Sequence, residues 1–393
     1  MLTTTEVSTW IHEKLLVRNG LSRALFATEA PRLAHISEQM ATCFADGGRI
    51  LTFGKGAYTT DAQHVSVEFV HPVIVGKKAL PALDISVAFD AWLKTMLRPS
   101  DMVIGFAPPE GDAEVAAALA YAKERDALTV ALTGIDADYA LTEAHAHPLI
   151  HQELIEILYH TLWETVHVFL EHQSLGHDVG SSSFLYPFLG ESQAPPDILS
   201  DVASSIISKA RDDEALREQV AASYADAVAE AIDAINARLA KGGKLITLGN
   251  GGSATDANDF MLDCVLPPAG MTPVPAVSLA LESANLSAIS NDVGTEVVFL
   301  RQLISQVSRA DIHDVVMAFS TSGNSTNIVT ALQEAKTRGL FTVALLGNDG
   351  GQIVTDALAD VAIVVPSDYI PRIQEVHASV YHVLREGLEV VRA

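Results

Sequence analysis

Residues 238–263 read RLAKGGKLITLGNGGSATDANDFMLD, and residues 43–68 read CFADGGRILTFGKGAYTTDAQHVSVE. The stretches align without a gap at a separation of 195 residues (47 to 242): Gly47-Gly48 with Gly242-Gly243, Gly54 with Gly249, Asp61-Ala62 with Asp256-Ala257. Both follow one plan. A helix ends at Gly-Gly, a short apolar run follows (ILTF or LITL), then a glycine-bearing turn, then an amphipathic stretch. Strand, tight loop and helix in this order are the unit of a parallel doubly wound sheet. An internal repeat of this length implies two copies of one domain.

Further α/β units follow in each half. In the first, DMVIGFA, EVAAALAYAKERD, ALTVALTG and HQELIEILYHTLWETVHVFLEH read as strand, helix, strand and long helix. In the second, DVVMAFS, NIVTALQEAKTRG, FTVALLG and RIQEVHASVYHVLREGLEVV repeat the order. Unbroken Val, Ala, Ile and Leu runs describe strands covered on both faces. The Gly-, Ser- and Pro-rich stretch SLGHDVGSSSFLYPFLGESQAPPD reads as a linker. The sequence thus predicts an α/β chain of two tandem doubly wound parallel-sheet domains with flanking helices. The first spans 1–175, a linker 176–197, and the second 198–393. A helix near 198–211 and a longer one near 213–240 open the second domain, mirroring 6–44 of the first.

The chain has 393 residues, enough for two domains, and 49% of them are hydrophobic. No apolar run approaches the ~20 residues of a membrane helix, and the N-terminus lacks the pattern of a signal peptide. Two cysteines, Cys43 and Cys264, imply no disulfide framework. The expectation is a soluble cytoplasmic protein without a membrane partner. With 25 Lys and Arg against 49 Asp and Glu, the net charge is −24, and no basic footprint for nucleic acid is present. An anionic small molecule remains admissible, because backbone N–H groups at a helix N-terminus hold phosphate without Lys or Arg.

Two polar loops in the second half suit such a ligand. GNGGSATDAND (249–259) follows the first strand, and STSGNSTN (320–327) follows DVVMAFS and opens a helix. Ser320, Thr321, Ser322 and Ser325 offer hydroxyls, Gly323 permits close backbone approach, and the helix start adds N–H groups and its dipole. Ser, Thr or Asn before a helix is also ordinary capping, but six successive polar or Gly residues exceed what a cap requires.

In the first half, His64 and Glu68 stand four apart on one helix face, and Gln152 and His160 two turns apart on the last helix. The same positions in the second half hold Asp259, Asp263, Gln374 and His382. A His/Glu/His/Gln set suits Zn²⁺ or a similar divalent ion. Read alone, a His and Glu four apart are far more often a solvated pair than metal ligands.

GNGGSATDAN, STSGNS and RIQEVH-x4-H together resemble the sugar isomerase (SIS) domain, specifically the phosphoheptose isomerase family. The resemblance covers 200–393, and 1–175 looks like a degenerate second copy. It implies a five-stranded parallel sheet and conversion of sedoheptulose 7-phosphate to an aldoheptose 7-phosphate. It also implies zinc and oligomers, here a dimer of tandem chains. Carried over residue by residue, it implies a metal set of His64, Glu68, Gln152 and His160. Phosphorylated sugar would be held by Asn250, Gly251, Gly252, Ser253, Ser320, Thr321, Ser322, Ser325 and Gln374. The acid–base pair would be Glu68 with His160, or Asp263 with His382.

Neither copy is complete by the family pattern. In the first, GNGGS is GKGAY (Lys55, Ala57, Tyr58), and FAPPEGD stands where STSGNS would be. In the second, Asp259 and Asp263 replace His and Glu. The family's Arg four residues after that Glu is Pro72 in one copy and Pro267 in the other. Two readings stand: a metal-assisted aldose–ketose isomerase working through an enediolate, or a non-catalytic sugar-phosphate-binding regulator or assembly protein. Fold resemblance does not choose between them.

Overall fold

The computed structural model describes residues 3–73, 77–142, 145–175, 195–307 and 312–392. The first half runs α1 (Thr4–Ala45), β1 (Ile50–Gly54), α2 (Thr59–Val70), β2 (Ala82–Asp84), α3 (Phe89–Met96), β3 (Met102–Phe106), α4 (Ala113–Lys123), β4 (Leu128–Ala131), β5 (Tyr139–Ala140) and α5 (Pro148–Leu175). The second runs α6 (Pro195–Leu239), β6 (Leu245–Gly249), α7 (Gly252–Val265), β7 (Ala276–Ser278), α8 (Ser283–Asp292) and α9 (Val298–Gln306). It continues with β8 (Val315–Ser320), α10 (Thr326–Thr337), β9 (Phe341–Gly347), α11 (Gly351–Thr355), β10 (Val361–Val365) and α12 (Ile370–Arg392).

Each half forms one five-stranded sheet, β2-β1-β3-β4-β5 and β7-β6-β8-β9-β10, the same order read from the same edge. Every strand pairing is parallel. The central strands β1, β3, β6 and β8 are buried along their whole length, as their unalternating apolar runs require. The tandem α/β architecture read from the repeat is therefore the one observed.

The helices are divided differently from the expectation. One helix, α6, replaces the two expected near 198–211 and 213–240. One compact unit consists of residues 20–212, and the other of 1–19 with 213–393. Both long helices therefore change unit part-way along. The core of the first unit takes Phe26, Leu33 and Met40 from α1, and Val202, Ile206 and Ala210 from α6. The core of the second takes Val7, Ile11 and Leu15 from α1, and Val220, Val228 and Ile235 from α6. The expected boundaries at 175 and 198 do not divide the cores, because each unit needs the opening turns of the other copy's first helix to cover its apolar face. Of the expected linker, 176–194 lies outside the described residues, and 195–197 already belongs to α6. Among the described residues no helix is long and apolar enough to cross a membrane.

Candidate functional site

In the second unit the two polar loops leave neighbouring strands, with Gly249 of β6 in register with Phe319 of β8. The loops are therefore side by side at the carboxyl ends of adjacent strands, where open α/β sheets bind ligands. They are also tied together: Asn250 and Asn327 exchange amide hydrogen bonds of 3.0 and 2.9 Å. Gly249 must be glycine, because a Cβ there would lie 2.0 Å from the Ser253 carbonyl oxygen. Ser253 is buried in the first turn of α7.

The 320–325 loop is folded by its own side chains. The Ser320 hydroxyl accepts from the Gly323 N–H (3.1 Å), and the Ser322 hydroxyl from the Asn324 N–H (3.2 Å). Ser325 is the N-cap residue of α10, yet its hydroxyl makes no capping hydrogen bond. The amides of that helix start are left without a side-chain acceptor from the cap. A cleft of about 860 Å³ lies alongside, lined by Ser322, Asn324, Asn348, Asp349, Ser367 and Asp368. Its lining offers serine hydroxyls, asparagine amides and two carboxylates.

The first unit keeps the backbone of this loop and loses its chemistry. A Cβ on Gly54 would likewise lie 2.0 Å from the Tyr58 carbonyl oxygen. Tyr58, in place of serine, is buried near the His151 ring. Lys55 reaches across to Asp112 (2.9 Å) and Glu114 (3.2 Å). Asp112 caps α4, accepting from the N–H groups of Glu114 (2.8 Å) and Val115 (3.1 Å). A carboxylate of the chain itself sits on the amides of this helix start. Sequence reading registered the missing serines but not this replacement, although Asp before a helix is a capping signal.

Below each loop, the motif helix meets the last helix of its half. In the first unit, His64 on α2 approaches His160 on α5 (Nε2 to Nε2, 3.3 Å) and Glu68 (3.8 Å), all three side chains buried. The ligand atoms of His64, His160 and Glu156 lie within 4.8 Å of one another. The second expected α5 residue, Gln152, directs its amide nitrogen to Asp61 (3.1 Å) and Thr60 (3.4 Å). Glu156 escaped the sequence reading, though it stands midway between Gln152 and His160 on the same helix stripe. Burial, with the nearby Glu164 adding to it, pushes the Glu68 carboxyl up to about 8. Burial, and then His160, hold the His64 imidazole well below its usual range.

The second unit repeats the plan with other donors. His382 on α12 lies 3.2 Å from Asp263 and 3.4 Å from Asp259 on α7, and these three also group within 4.8 Å. The Tyr381 hydroxyl donates to Asp259 (2.8 Å), as Tyr159 in the first unit meets the Nδ1 of His64 (3.0 Å). Burial, reinforced by Asp259 and opposed by His382, lifts the Asp263 carboxyl to about 6. Gln374 is buried on α12. Pro72 and Pro267 each fall just beyond the ends of α2 and α7.

A family model for the SIS domain matches residues 210–347, the stretch that carries both polar loops. The phosphoheptose isomerase of Pelobacter propionicus is 38% identical over 193 residues, covering 49% of this chain and 97% of that protein. The phosphoheptose isomerase of a Nitratiruptor species is 44% identical over 142 residues, covering 36% and 73% respectively. The chain belongs to the phosphoheptose isomerase family. Within that family it is a double-length SIS protein. A solved putative phosphosugar isomerase from Silicibacter pomeroyi shares the fold across 97% of this chain and 98% of its own, with TM-score 0.57 at 16% identity.

Proposed function

We propose that this SIS-family chain is a metal-assisted aldose–ketose isomerase acting on a phosphorylated sugar, with a seven-carbon ketose phosphate as first candidate. The observation that carries the reading is the second unit. There, two loops at adjacent strand ends and an uncapped helix start belong to the same unit as a buried carboxylate–imidazole pair. In this reading Ser253, Ser320, Thr321, Ser322 and Ser325, with the amides of 250–252, hold the phosphate. Asp349 and Asp368, which line the cleft beside Ser322, take sugar hydroxyls. Asp263 takes the C1 proton of the ketose and returns it to C2, and His382 relays the proton between the two oxygens. A carboxyl whose pKa lies near 6 is suited to this, since a general base works best close to the operating pH. Gln374 orients the carbonyl end.

The donor sets of both clusters fit a divalent cation: two imidazoles with carboxylates in the first unit, one imidazole with two carboxylates in the second. His64, His160 and the carboxylates beside them would hold it in the first unit, and Asp259, Asp263 and His382 in the second. A bound cation would polarise the substrate's carbonyl and hydroxyl oxygens. Glu68 with His160 is the alternative acid–base pair. Cytoplasmic placement and assembly of two chains complete the proposal, the latter tested by sedimentation at micromolar concentration.

One observation favours a second reading, a sugar-phosphate-binding regulator: Asp259, Asp263 and His382 are each at most 3% exposed. The deciding experiment incubates the zinc-loaded protein with sedoheptulose 7-phosphate and with hexose phosphates, following C1 and C2 by NMR. Turnover abolished by Asp263→Asn and His382→Gln supports the enzyme. Binding of the sugar phosphate without turnover of any of them replaces it with the regulator.

A further inference from the structure

We infer that Asn327 is a positioning residue, whose amide pair with Asn250 sets the separation of the two loops that take a phosphate group in the second unit. This deepens the proposed sugar-phosphate binding and rests on it. Asn327 lies in the first turn of α10, and Asn250 directly follows Gly249, the last residue of β6. Each side chain donates to the other and accepts from it, at 3.0 and 2.9 Å. The 320–325 loop is braced on its other flank as well. The Asn348 side chain donates to the Thr321 carbonyl (3.0 Å), and the Asn324 side chain accepts from the Gln352 N–H (2.9 Å). The loop is thus tied to the turn after β9 on one side and, through Asn327, to the turn after β6 on the other.

An anion held by donors on two separate loops binds best when their separation is fixed before it arrives. Otherwise binding must also order the loops, which lowers affinity. Asn250 is exposed and Asn327 half-buried, so their bonds add little to the stability of the fold. What they fix is local. An amide pair also suits the place, because it brings no charge to a helix start whose dipole favours an anion.

The first unit supplies a comparison within the same chain. With Gly54 aligned to Gly249, Lys55 stands at the position of Asn250. With the N-cap residue Asp112 aligned to the N-cap residue Ser325, Glu114 stands at that of Asn327. The two positions differ together: amide with amide in one copy, ammonium with carboxylate in the other, at 3.2 Å. A link across the loops is kept in both, but it is made in different places. In the first unit Lys55 also reaches the cap itself, Asp112, at the shorter distance of 2.9 Å. In the second the link falls beyond the cap, and the Ser325 hydroxyl makes no capping hydrogen bond. The loops are joined there without a side chain being laid over the helix start.

The test is a double-mutant cycle on the full-length protein, with binding of sedoheptulose 7-phosphate and of inorganic phosphate read by calorimetry. Asn327→Ala should weaken both about tenfold or more, and Asn250→Ala by a similar factor, because the loops and not the sugar contacts are disturbed. The double variant should lose no more than about threefold beyond either single one, since one link is broken only once. The midpoint of urea unfolding should be the same throughout the cycle. Wild-type affinity in Asn327→Ala overturns the inference. Losses that multiply in the double variant overturn it too, by showing that the two amides act on the ligand separately. A midpoint lowered in proportion to the lost affinity reduces Asn327 to a residue of the fold and has the same consequence. Failure of the unmodified protein to bind either probe is a different result: it removes the sugar-phosphate reading, and the positioning role with it.

Discussion

The starts of α4 and α10 occupy the same place in two copies of one domain, and they have been finished in opposite ways. At α4, Asp112 accepts from two backbone amides and is held by Lys55. At α10, Ser325 leaves the corresponding amides without a side-chain acceptor. The strand ends and tight loops around them are alike, down to the 2.0 Å that a Cβ on Gly54 or Gly249 would leave to the backbone oxygen across the turn. The geometry of the turn therefore survives duplication in both copies. What differs is whether a side chain of the chain itself accepts from the helix start.

The largest expected effect addresses the open end. Ser322→Ala with Ser325→Ala should weaken binding of a sugar phosphate by roughly two orders of magnitude or more, since each hydrogen bond to a charged group contributes about 1.5–3 kcal/mol. Lys55→Ala should leave it unchanged by calorimetry. Equal losses in the two variants would break the comparison.

Next in size is a difference in acid response. His377, fully buried, donates from Nε2 to the Leu346 carbonyl (3.0 Å), and burial lowers its pKa to about 4. The unfolded chain, with an ordinary histidine near 6.5, binds more protons between those values, so stability present at neutral pH is lost as pH falls from about 6.5 towards 4. The difference amounts to about 3 kcal/mol at most. The aligned residue in the first unit is Ile155. His377→Ile should therefore flatten the pH dependence of unfolding in the second unit, read by hydrogen exchange of α12. A slope unaltered by the substitution would remove His377 as its cause.

Gly54→Ala and Gly249→Ala should cost about 2 kcal/mol each, by overcrowding of a close-packed turn. Only the second should also impair ligand binding. Unequal stability losses would show that the two turns differ in more than side chains. The smallest effect separates the caps themselves. Asp112→Ala should cost about 1 kcal/mol through the lost cap, and Ser325→Ala clearly less, both measured by urea unfolding.

The repeat, the parallel sheets and the two polar loops were legible in the sequence because they rest on local signals: glycines at fixed spacing, unalternating apolar runs, and Ser and Thr after a strand. Helix spacing put His64 and Glu68 on one face, and only the family resemblance joined them to Gln152 and His160 as a set. Glu156 was not legible, since its neighbourhood with His64 is created by the packing of α5 on α2. Asp112 was not either, since its pairing with Lys55 is made by the packing of the loop after β1 against the start of α4. The change of unit within α1 and α6 left no local mark at all. Both are continuous helices, and only the partners of Leu15, Met40, Val202 and Val220 reveal which core each turn completes.

That last feature bears on how such a gene can evolve. Lys209 on α6 pairs with the buried Glu164 of α5, and Lys14 and Arg18 on α1 pair with Glu386 of α12. Lys14 and Lys209 are themselves aligned in the two copies, so each copy's lysine neutralises the other copy's glutamate. Fission of the gene near codon 195 would strand Glu164 without its counter-ion in one product and Glu386 in the other. Each product would also carry a core short of one helical segment. A buried carboxylate that loses its partner is costly, about 3–5 kcal/mol. A split at that point therefore separates each core from a helical segment and a counter-ion that the other copy supplies.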